Sequence, residues 1–385
     1  MTPMSKKELI DEVKPRYLKA TKQEKGRMLN EFCLNTGYNR NYAIQIMQAD
    51  CDYHRVKREG RKRRKRKYGS DVLLVAIKIW ELLEYPCGAR LQPSLIPMME
   101  AMERSKEIVV ADPIKEKLKL ITARTLDRRL RRERGIRKLN RSRGTTRHGT
   151  LLKSSVPIRI TNWDTSEVGF MEMDTVAHNG GDPSGECLYS LDMTEIYSGW
   201  SEQIAVMGKS EAGVITAVDE INQVLPFKLK GMDSDSGSEF VNWHMVRYCE
   251  QHELFFTRSR PDRKNDNAYV EQKNNTHVRK WLGYGRYDTP QQLVVINDLY
   301  RDELRLFNNF FRPVMKILSK EKINNSVCRK IYDVAQTPYQ RLMDCDQITQ
   351  KKKEELRNLY LSLNPVELKK AINQKLKNIK KLQRN

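Results

Sequence analysis

The stretch that decides the fold is Met232-Asp-Ser-Asp-Ser-Gly-Ser-Glu-Phe240, followed after an apolar helical pattern by Asn267-Ala-Tyr-Val-Glu-Gln-Lys-Asn274. It places 35 residues between Asp235 and Glu271. Upstream, the strand-like run Gly169-Phe-Met-Glu-Met-Asp-Thr-Val176 supplies a third acid, Asp174. Two acids on strands and one on a helix are held rigidly enough to bind metal ions. The sequence therefore predicts one divalent-metal site at Asp174, Asp235 and Glu271.

The chemistry of these side chains favours magnesium. Mg²⁺ prefers hard carboxylate oxygens and keeps water molecules that a substrate can displace. Asp174 lies in an apolar strand, where an unpaired carboxylate would be costly to bury. We therefore expect Asp174 to bind a metal ion or to lie at the domain surface. Asp233 is a rival because it shares a strand face with Asp235. Further candidates near the acids are Glu172, Asp192, Glu239 and His178, the last of which would share a strand face with Asp174 or be structural.

The composition favours a polyanion as the partner. The 385 residues are enough for about two to four domains, and a hydrophobic content of 39% is enough to build cores. The formal net charge is +22, from 71 Lys and Arg against 49 Asp and Glu. A chain this basic attracts DNA or RNA, although ribosomal and membrane-surface proteins can also be this basic. The separate acid cluster makes those two classes less suitable.

The cysteines and the N-terminus indicate a cytoplasmic protein, and we expect a bacterial setting with association to the nucleoid. The seven cysteines form no Cys-x-x-Cys pair and no zinc spacing, which is typical of reduced thiols. Residues 1–10 are polar and charged, so no signal peptide is predicted. No apolar run approaches the roughly 18 residues of a membrane span.

The first 53 residues predict a helix-turn-helix domain that binds DNA. Thr21 is placed to cap one helix, and Thr36-Gly-Tyr38 forms a turn before the next. A plain helical hairpin remains the alternative. The side chains expected to meet base edges are Asn39, Arg40, Asn41 and Gln45.

Two basic linkers flank a second helical domain over residues 70–135. The linker at 54–69 is expected to neutralise DNA phosphates through Arg61, Arg63 and Arg64, unless it is merely solvated. In the second domain, Thr122 caps a helix whose inward face is apolar and whose outer face is rich in arginine. Its expected DNA contacts are Arg124, Arg128, Arg129 and Arg132. Residues 136–160 form the other linker.

From residue 161 to 285 strands alternate with helices. Three strands come first, Ser210 then caps a helix, and strand, helix, strand and helix follow. This is the order of a ribonuclease-H-like domain, with a mixed five-stranded sheet flanked by helices. Residues 286–385 predict a mostly helical region with basic amphipathic helices, in which the structure of residues 312–343 is left unassigned.

The residues around each acid resemble the integrase core of bacterial insertion-sequence transposases and retroviral integrases. The matching elements are Asp174-Thr-Val, Asp235-x-Gly-x-Glu-Phe and Asn267-Ala-Tyr-Val-Glu-Gln-Lys-Asn274, with the last two acids at the family interval. Ser259-Arg-Pro261, Lys264-Asn-Asp266 and Thr337-Pro-Tyr-Gln-Arg341 also resemble the bacterial pattern. The resemblance covers roughly residues 169–342, and the N-terminal domains share only the general layout.

The resemblance implies a role for each residue. Asp174 and Asp235 would hold two Mg²⁺ ions, with Mn²⁺ as a substitute, and Glu271 would complete one ion's shell. Arg258, Arg260 and Lys264 would grip DNA phosphates. Asn274, Asn275 and Arg279 would lie near the DNA end.

The resulting hypothesis is a DNA transposase that binds the terminal inverted repeats of a mobile element. It would cleave the 3′ ends and transfer them into target DNA, acting as a homo-oligomer assembled on double-stranded DNA. Two alternatives stay open. One is a sequence-specific DNA-binding regulator with an inactive integrase-like core, and the other is a ribonuclease-H-like nuclease.

Overall fold

The computed structural model describes residues 1–48, 67–137, 166–235, 237, 239–259, 268–324 and 327–383. The contacts predicted at Arg61, Arg63, Arg64, Arg260 and Lys264 lie outside these residues, as do most of the two basic linkers. The chain divides into two compact units, Met1–Lys67 and Tyr68–Asn385.

The first unit is a three-helix bundle with α1 at Pro3–Lys19, α2 at Lys22–Thr36 and α3 at Arg40–Gln48. The backbone N–H of Thr21 donates to Glu24 Oε2 at 2.8 Å, which completes the capping box at the start of α2. Gly37 ends α2 at φ 70°, a left-handed conformation that glycine adopts without strain. The three helices share a small core of Ile10, Tyr17, Leu29, Phe32, Ala43, Ile46 and Met47.

Four helices open the second unit: α4 at Ser70–Leu82, α5 at Gly88–Arg104, α6 at Asp112–Leu120 and α7 at Ala123–Ile136. Thr122 caps α7, as predicted, by accepting from the backbone N–H of Thr125 at 3.3 Å. The side chain of Asp127 in α7 accepts from the backbone N–H of Gly88 at 2.8 Å, and this bond holds the start of α5 against α7.

The sheet contains β1 at Phe170–Ala177, β2 at Leu188–Glu195, β3 at Ser201–Met207, β4 at Gly231–Ser234 and β5 at Phe255–Arg258. Its order is β3-β2-β1-β4-β5, in which β1, β2 and β3 are antiparallel neighbours while β4 and β5 run parallel to β1. Helix α8 at Glu211–Val224, capped by Ser210, and helix α9 at Trp243–Gln251 provide the crossovers. This is the ribonuclease-H-like arrangement that the sequence predicts.

A long helix follows the sheet. It begins as α10 at Ala268–Lys273, continues through a π-helical segment at Asn274–Arg279 and ends as α11 at Lys280–Leu282. A second helix is built the same way, with α12 at Pro290–Leu299, a π-helical segment at Tyr300–Leu304 and α13 at Arg305–Phe310. Extended π-helical geometry is rare and often marks functional sites.

The C-terminal region is mostly helical, as predicted, with α14 at Pro338–Asp344, α15 at Gln350–Ser362 and α16 at Pro365–Lys381. The stretch that the sequence leaves unassigned contains a hairpin of β6 at Ile317–Asn324 and β7 at Val327–Tyr332. Within the described ranges, no helix has the length and apolar character needed to cross a bilayer.

One hydrophobic core runs through the second unit. Buried side chains from α4 and α5, such as Trp80 and Met99, belong to the same cluster as Met193 in β2 and Phe307 in α13. Ile372 of α16 also belongs to it. The arginine-bearing helix α7 is therefore connected by continuous packing to the sheet that carries the acids.

Candidate active site

Asp174 and Asp235 lie side by side at the end of the parallel strand pair. The last paired residues of β1 and β4 are Met173 and Ser234, and the two aspartates follow them directly. Burial, and after it the charge of Asp235, raises the pKa of Asp174 to about 7. The sheet register thus brings together two acids that are 61 positions apart in the chain.

A glycine turn shapes the chain after Asp235. The backbone N–H of Gly237 donates to Asp235 Oδ1 at 2.9 Å. A Cβ at position 237 would come within 2.7 Å of Glu239 Oε2 and 2.9 Å of Asp235 Oδ1, so a side chain here would displace both carboxylates. Glu239 is already engaged, because Lys209 Nζ donates to its Oε1 at 2.6 Å and Thr175 Oγ1 donates to the same oxygen at 3.1 Å.

Glu172 fixes the helix that carries Glu271. Its buried Oε2 accepts from the backbone N–H groups of Tyr269 at 2.9 Å and Val270 at 3.1 Å, the first turn of α10. Because side chains alternate along a strand, Glu172 shares a sheet face with Asp174. The negative charge of Glu172 also suits the positive end of the helix. Glu271 lies in that first turn and is exposed.

Asn274 ties the same helix to Asp174. Its Nδ2 donates to Asp174 Oδ2 at 2.6 Å, while its buried Oδ1 has no hydrogen-bond partner among the described residues. Asn274 is expected from the resemblance near the DNA end, and in this structure it contacts an acid of the site instead. The next residue, Asn275, is exposed.

The two aspartates suit a divalent cation, since both supply hard oxygen ligands and a cation between them would relieve the repulsion that raises the pKa of Asp174. Over the described part of the chain, no group of three or more His, Cys, Asp or Glu side chains is spaced to hold a metal ion. Glu271 is among those residues, so it does not complete such a group here.

Asp192 and Asp233, the rival aspartates, are buried in hydrogen-bonded positions. Asp192 lies opposite Asp174 in β2 and accepts from Gln203 Nε2 at 3.1 Å. Burial raises the pKa of Asp192 to about 7, while the charge of Lys273 opposes the shift. Asp233 accepts from Thr257 Oγ1 at 2.5 Å in the next strand.

His178 lies inside the protein, one residue beyond β1. Its Nε2 is 2.8 Å from Ser190 Oγ, and its ring meets Tyr287 edge to face with 5.4 Å between centroids. Burial, and then the charge of Arg279, lowers the pKa of His178 to about 3. The ring is therefore neutral and has the surroundings of a structural side chain.

The candidate DNA contacts differ in their exposure. In the first unit Asn39, Arg40, Asn41 and Gln45 are all exposed.

On α7, Arg124, Arg128 and Arg132 are exposed, whereas Arg129 donates to the backbone carbonyl of Tyr68 at 3.2 Å. Arg258 is buried at the end of β5, opposite Ser234, and so lies beside the strand that directly precedes Asp235. Arg279 donates to the carbonyl of Ala177 at 2.7 Å.

Comparison with known proteins gives the family of the chain. No protein-family model matches it. The chain is 33% identical over 328 residues to the uncharacterized protein y4rM of Sinorhizobium fredii (strain NBRC 101917 / NGR234), a match that covers 84% of this chain and 91% of that protein. The chain therefore belongs to the same family as y4rM.

Among solved structures, similar chains include the catalytic core domain of BIV integrase, with 14% identity and a TM-score of 0.28. That match covers 45% of this chain and 91% of the integrase domain. Another is in the simian T-cell lymphotropic virus intasome in complex with PP2A regulatory subunit B56 gamma, with 11% identity and a TM-score of 0.30. It covers 47% of this chain and 57% of that one. The fold assignment rests on the strand order and directions described above.

Proposed function

We propose that this protein is a DNA transposase of the integrase type, which cleaves the 3′ ends of a mobile element and joins them to target DNA. The observation that carries the proposal is the proximity of Asp174 and Asp235, which directly follow the last paired residues of the adjacent parallel strands β1 and β4. The helix of Glu271 is tied to the same strand by Glu172 and Asn274. The sequence around all three acids resembles that of transposases.

Cleavage and joining are both displacements at phosphorus, so one site can serve both steps. Two Mg²⁺ ions, or Mn²⁺ in their place, would activate the attacking oxygen and stabilise the leaving oxygen. Asp174 and Asp235 would hold the ions, and the rigid sheet keeps these ligands in place. Asn274 orients Asp174 Oδ2. Glu271, exposed on the first turn of α10, joins the two aspartates when DNA and the ions are bound.

The exposed polar faces of α3 and α7 would bind the terminal repeats of the element. In helix-turn-helix proteins the second helix lies in the major groove, with its N-terminal side chains at the base edges. Arg124 and Arg128 are exposed at the start and middle of α7. Joining acts on two ends together, so the working form is a homo-oligomer on double-stranded DNA, and a bacterial nucleoid is the expected location.

A DNA-binding regulator with an inactive core is a second candidate. It rests on the exposed polar side chains of α3 and the exposed arginines of α7, which would bind DNA whether or not the core is active. Such a regulator would bind the same DNA ends without joining them.

Joining of labelled end DNA to a supercoiled plasmid, with Mg²⁺, tests the proposal. The wild-type protein should give joined product, and Asp235→Asn should give none while binding the end DNA as tightly. Asp298→Asn is the matched control, because Asp298 is an exposed aspartate on α12. If the wild-type protein binds the end DNA without joining it, the protein is a regulator. If it degrades the DNA without joining it, the protein is a nuclease.

A further inference from the structure

A cluster of cationic and N–H-bearing side chains lies between α5, the helix from α10 to α11 and the segment after α13. Arg312 contacts Asn308 and Trp281. Arg90 and Lys273 are near enough for charge interactions with this group. These five residues are named the Arg312 cluster below. Arg312 Nη1 donates to the carbonyl of Thr276 at 2.9 Å and to Asn308 Oδ1 at 3.0 Å. The guanidinium carbon of Arg312 is 5.8 Å from the ring centroid of Trp281.

Two buried donors in the Arg312 cluster have no acceptor. Asn308 is fully buried, and its Nδ2 has no hydrogen-bond partner among the described residues. Trp281 is 5% exposed, and its Nε1 also has no hydrogen-bond partner among the described residues. A buried N–H group without an acceptor destabilises the folded protein. Both groups lie against Arg312, so the missing acceptor is expected beside that guanidinium.

The positive charge around the Arg312 cluster exceeds the negative charge that faces it. Burial lowers the pKa of Arg312, the charge of Glu84 opposes this shift and the charge of Arg90 adds to it, so that the pKa is about 10. Lys280 and Lys369 add positive charge nearby and share one carboxylate, that of Glu84. Among the described residues, the carboxylates that act most strongly on Lys273, Lys280, Arg312 and Lys369 are those of Asp192 and Glu84.

Arg90 and Arg312 are the two members of the Arg312 cluster that are not fully buried. Both side chains are partly exposed. In the described part of the chain, the side chain of Arg90 forms no hydrogen bond or ion pair, and both side-chain hydrogen bonds of Arg312 use Nη1. Guanidinium groups bind phosphate through two parallel N–H donors, so two such groups with free N–H edges suit a phosphate.

We propose that the Arg312 cluster binds a phosphate group, and that in the working complex this group is a phosphodiester of the DNA strand entering the active site. Arg90 and Arg312 grip the phosphate oxygens, while Asn308 Nδ2 and Trp281 Nε1 donate the remaining hydrogen bonds. Lys273 is two residues beyond Glu271, so the bound phosphate lies close to the helix that carries the third acid. The assignment to DNA rests on the proposed function, whereas the phosphate site does not.

The site is tested first with inorganic phosphate and thermal unfolding of the full chain. Phosphate should raise the Tm of the wild-type protein above the value in sodium chloride of equal ionic strength. Arg90→Gln should lose most of this rise. Arg247→Gln should keep it, because Arg247 is an exposed arginine on α9, away from the cluster. An equal rise in Arg90→Gln and Arg247→Gln would overturn the site.

Asn308→Asp gives a second test, in which the substitution is expected to raise the Tm without phosphate. It places a carboxylate beside Arg312 and so supplies the missing negative charge from within. Its Tm without phosphate should exceed that of the wild-type protein, and phosphate should add little. A lower Tm together with an undiminished phosphate effect would contradict the proposal.

The assignment to DNA is tested with a fluorescent duplex carrying the DNA end that flanks the gene. Arg90→Gln should reduce the slope of log affinity against log salt by roughly 0.9, the value for one phosphate contact, relative to Arg247→Gln. If Arg90→Gln loses the rise in Tm with phosphate but keeps the salt slope of Arg247→Gln, the site binds free phosphate and the DNA assignment is overturned. If the wild-type protein shows the phosphate effects but joins no DNA, the phosphate site is supported and the proposed function is contradicted.

Discussion

The side-chain amide of Asn274 donates to Asp174 Oδ2 at 2.6 Å and so connects the helix of Glu271 to the first strand of the sheet. Asn274 lies three residues beyond Glu271, about one helical turn. Glu172 makes the second connection at the start of the same helix. The position of Glu271 relative to Asp174 is therefore set by two hydrogen-bonded links.

Removal of the first link should slow the chemistry more than it weakens DNA binding. Asn274→Ala takes away the donor that orients Asp174, and loss of such an orienting partner typically costs about 10- to 100-fold in metal affinity or activity. Single-turnover joining at saturating DNA measures the effect. The control is Asn378→Ala, an exposed asparagine on α16. Equal joining rates for the two variants would show that the bond to Asp174 is dispensable.

Loss of the second link should affect stability and joining together. Glu172→Ala leaves the N–H groups of Tyr269 and Val270 without their acceptor, at a cost of about 1–3 kcal/mol in the free energy of unfolding. Urea unfolding measures this cost. Glu172→Gln retains an acceptor oxygen and should lose less. If both variants unfold like the wild-type protein, Glu172 does not anchor α10.

His178 should make the protein sensitive to acid. Burial lowers its pKa in the folded state to about 3 from 6.5, so below pH 6.5 the unfolded chain takes up a proton that the folded protein refuses. This contribution to stability is present above pH 6.5 and is lost as the pH falls toward 3, by about 1.4 kcal/mol per pH unit. Relative to the wild-type protein, His178→Gln should show a shallower decline over that range. Parallel declines would mean that His178 is accessible to protons.

Two arginines on α7 should give different phenotypes. Arg128 is exposed, so Arg128→Gln should weaken binding of end DNA and lower its salt slope by roughly 0.9 if the side chain contacts one phosphate. Arg129 donates to the carbonyl of Tyr68, so Arg129→Gln should instead lower the Tm. Fluorescence anisotropy and thermal unfolding of both variants separate the two roles. A role for α7 in DNA binding is excluded if Arg128→Gln binds with unchanged affinity and slope.

Local chemistry made much of the fold predictable. The caps at Thr21, Thr122 and Ser210 could be read from the sequence because a capping side chain acts on a backbone group two or three residues away. The order of elements along the chain, and with it the ribonuclease-H-like fold class, followed from the alternation of strands and helices. The acids could be chosen because the residues around them resemble a known family, and the register then placed Asp174 next to Asp235.

The long-range contacts could not be predicted in the same way. Glu172 accepts from residues 97 and 98 positions away, and nothing near it in the sequence indicates that partner. The resemblance places Asn274 near the DNA end. An amide on that helix face can bind either a ligand or a neighbouring acid, and the sequence does not distinguish the two. The β6–β7 hairpin mixes basic and apolar residues without a clear period, so its strands were missed.

Joining of end DNA by Glu271→Gln is the measurement that tests the three-acid site most directly, because Glu271 is the acid that would complete the site of Asp174 and Asp235. The matched control is Glu250→Gln, an exposed glutamate on α9. If Asp174, Asp235 and Glu271 act as one metal site, Glu271→Gln binds end DNA normally and yields no joined product with Mg²⁺, while Glu250→Gln joins like the wild-type protein. Joining by Glu271→Gln at the wild-type rate would contradict the assignment.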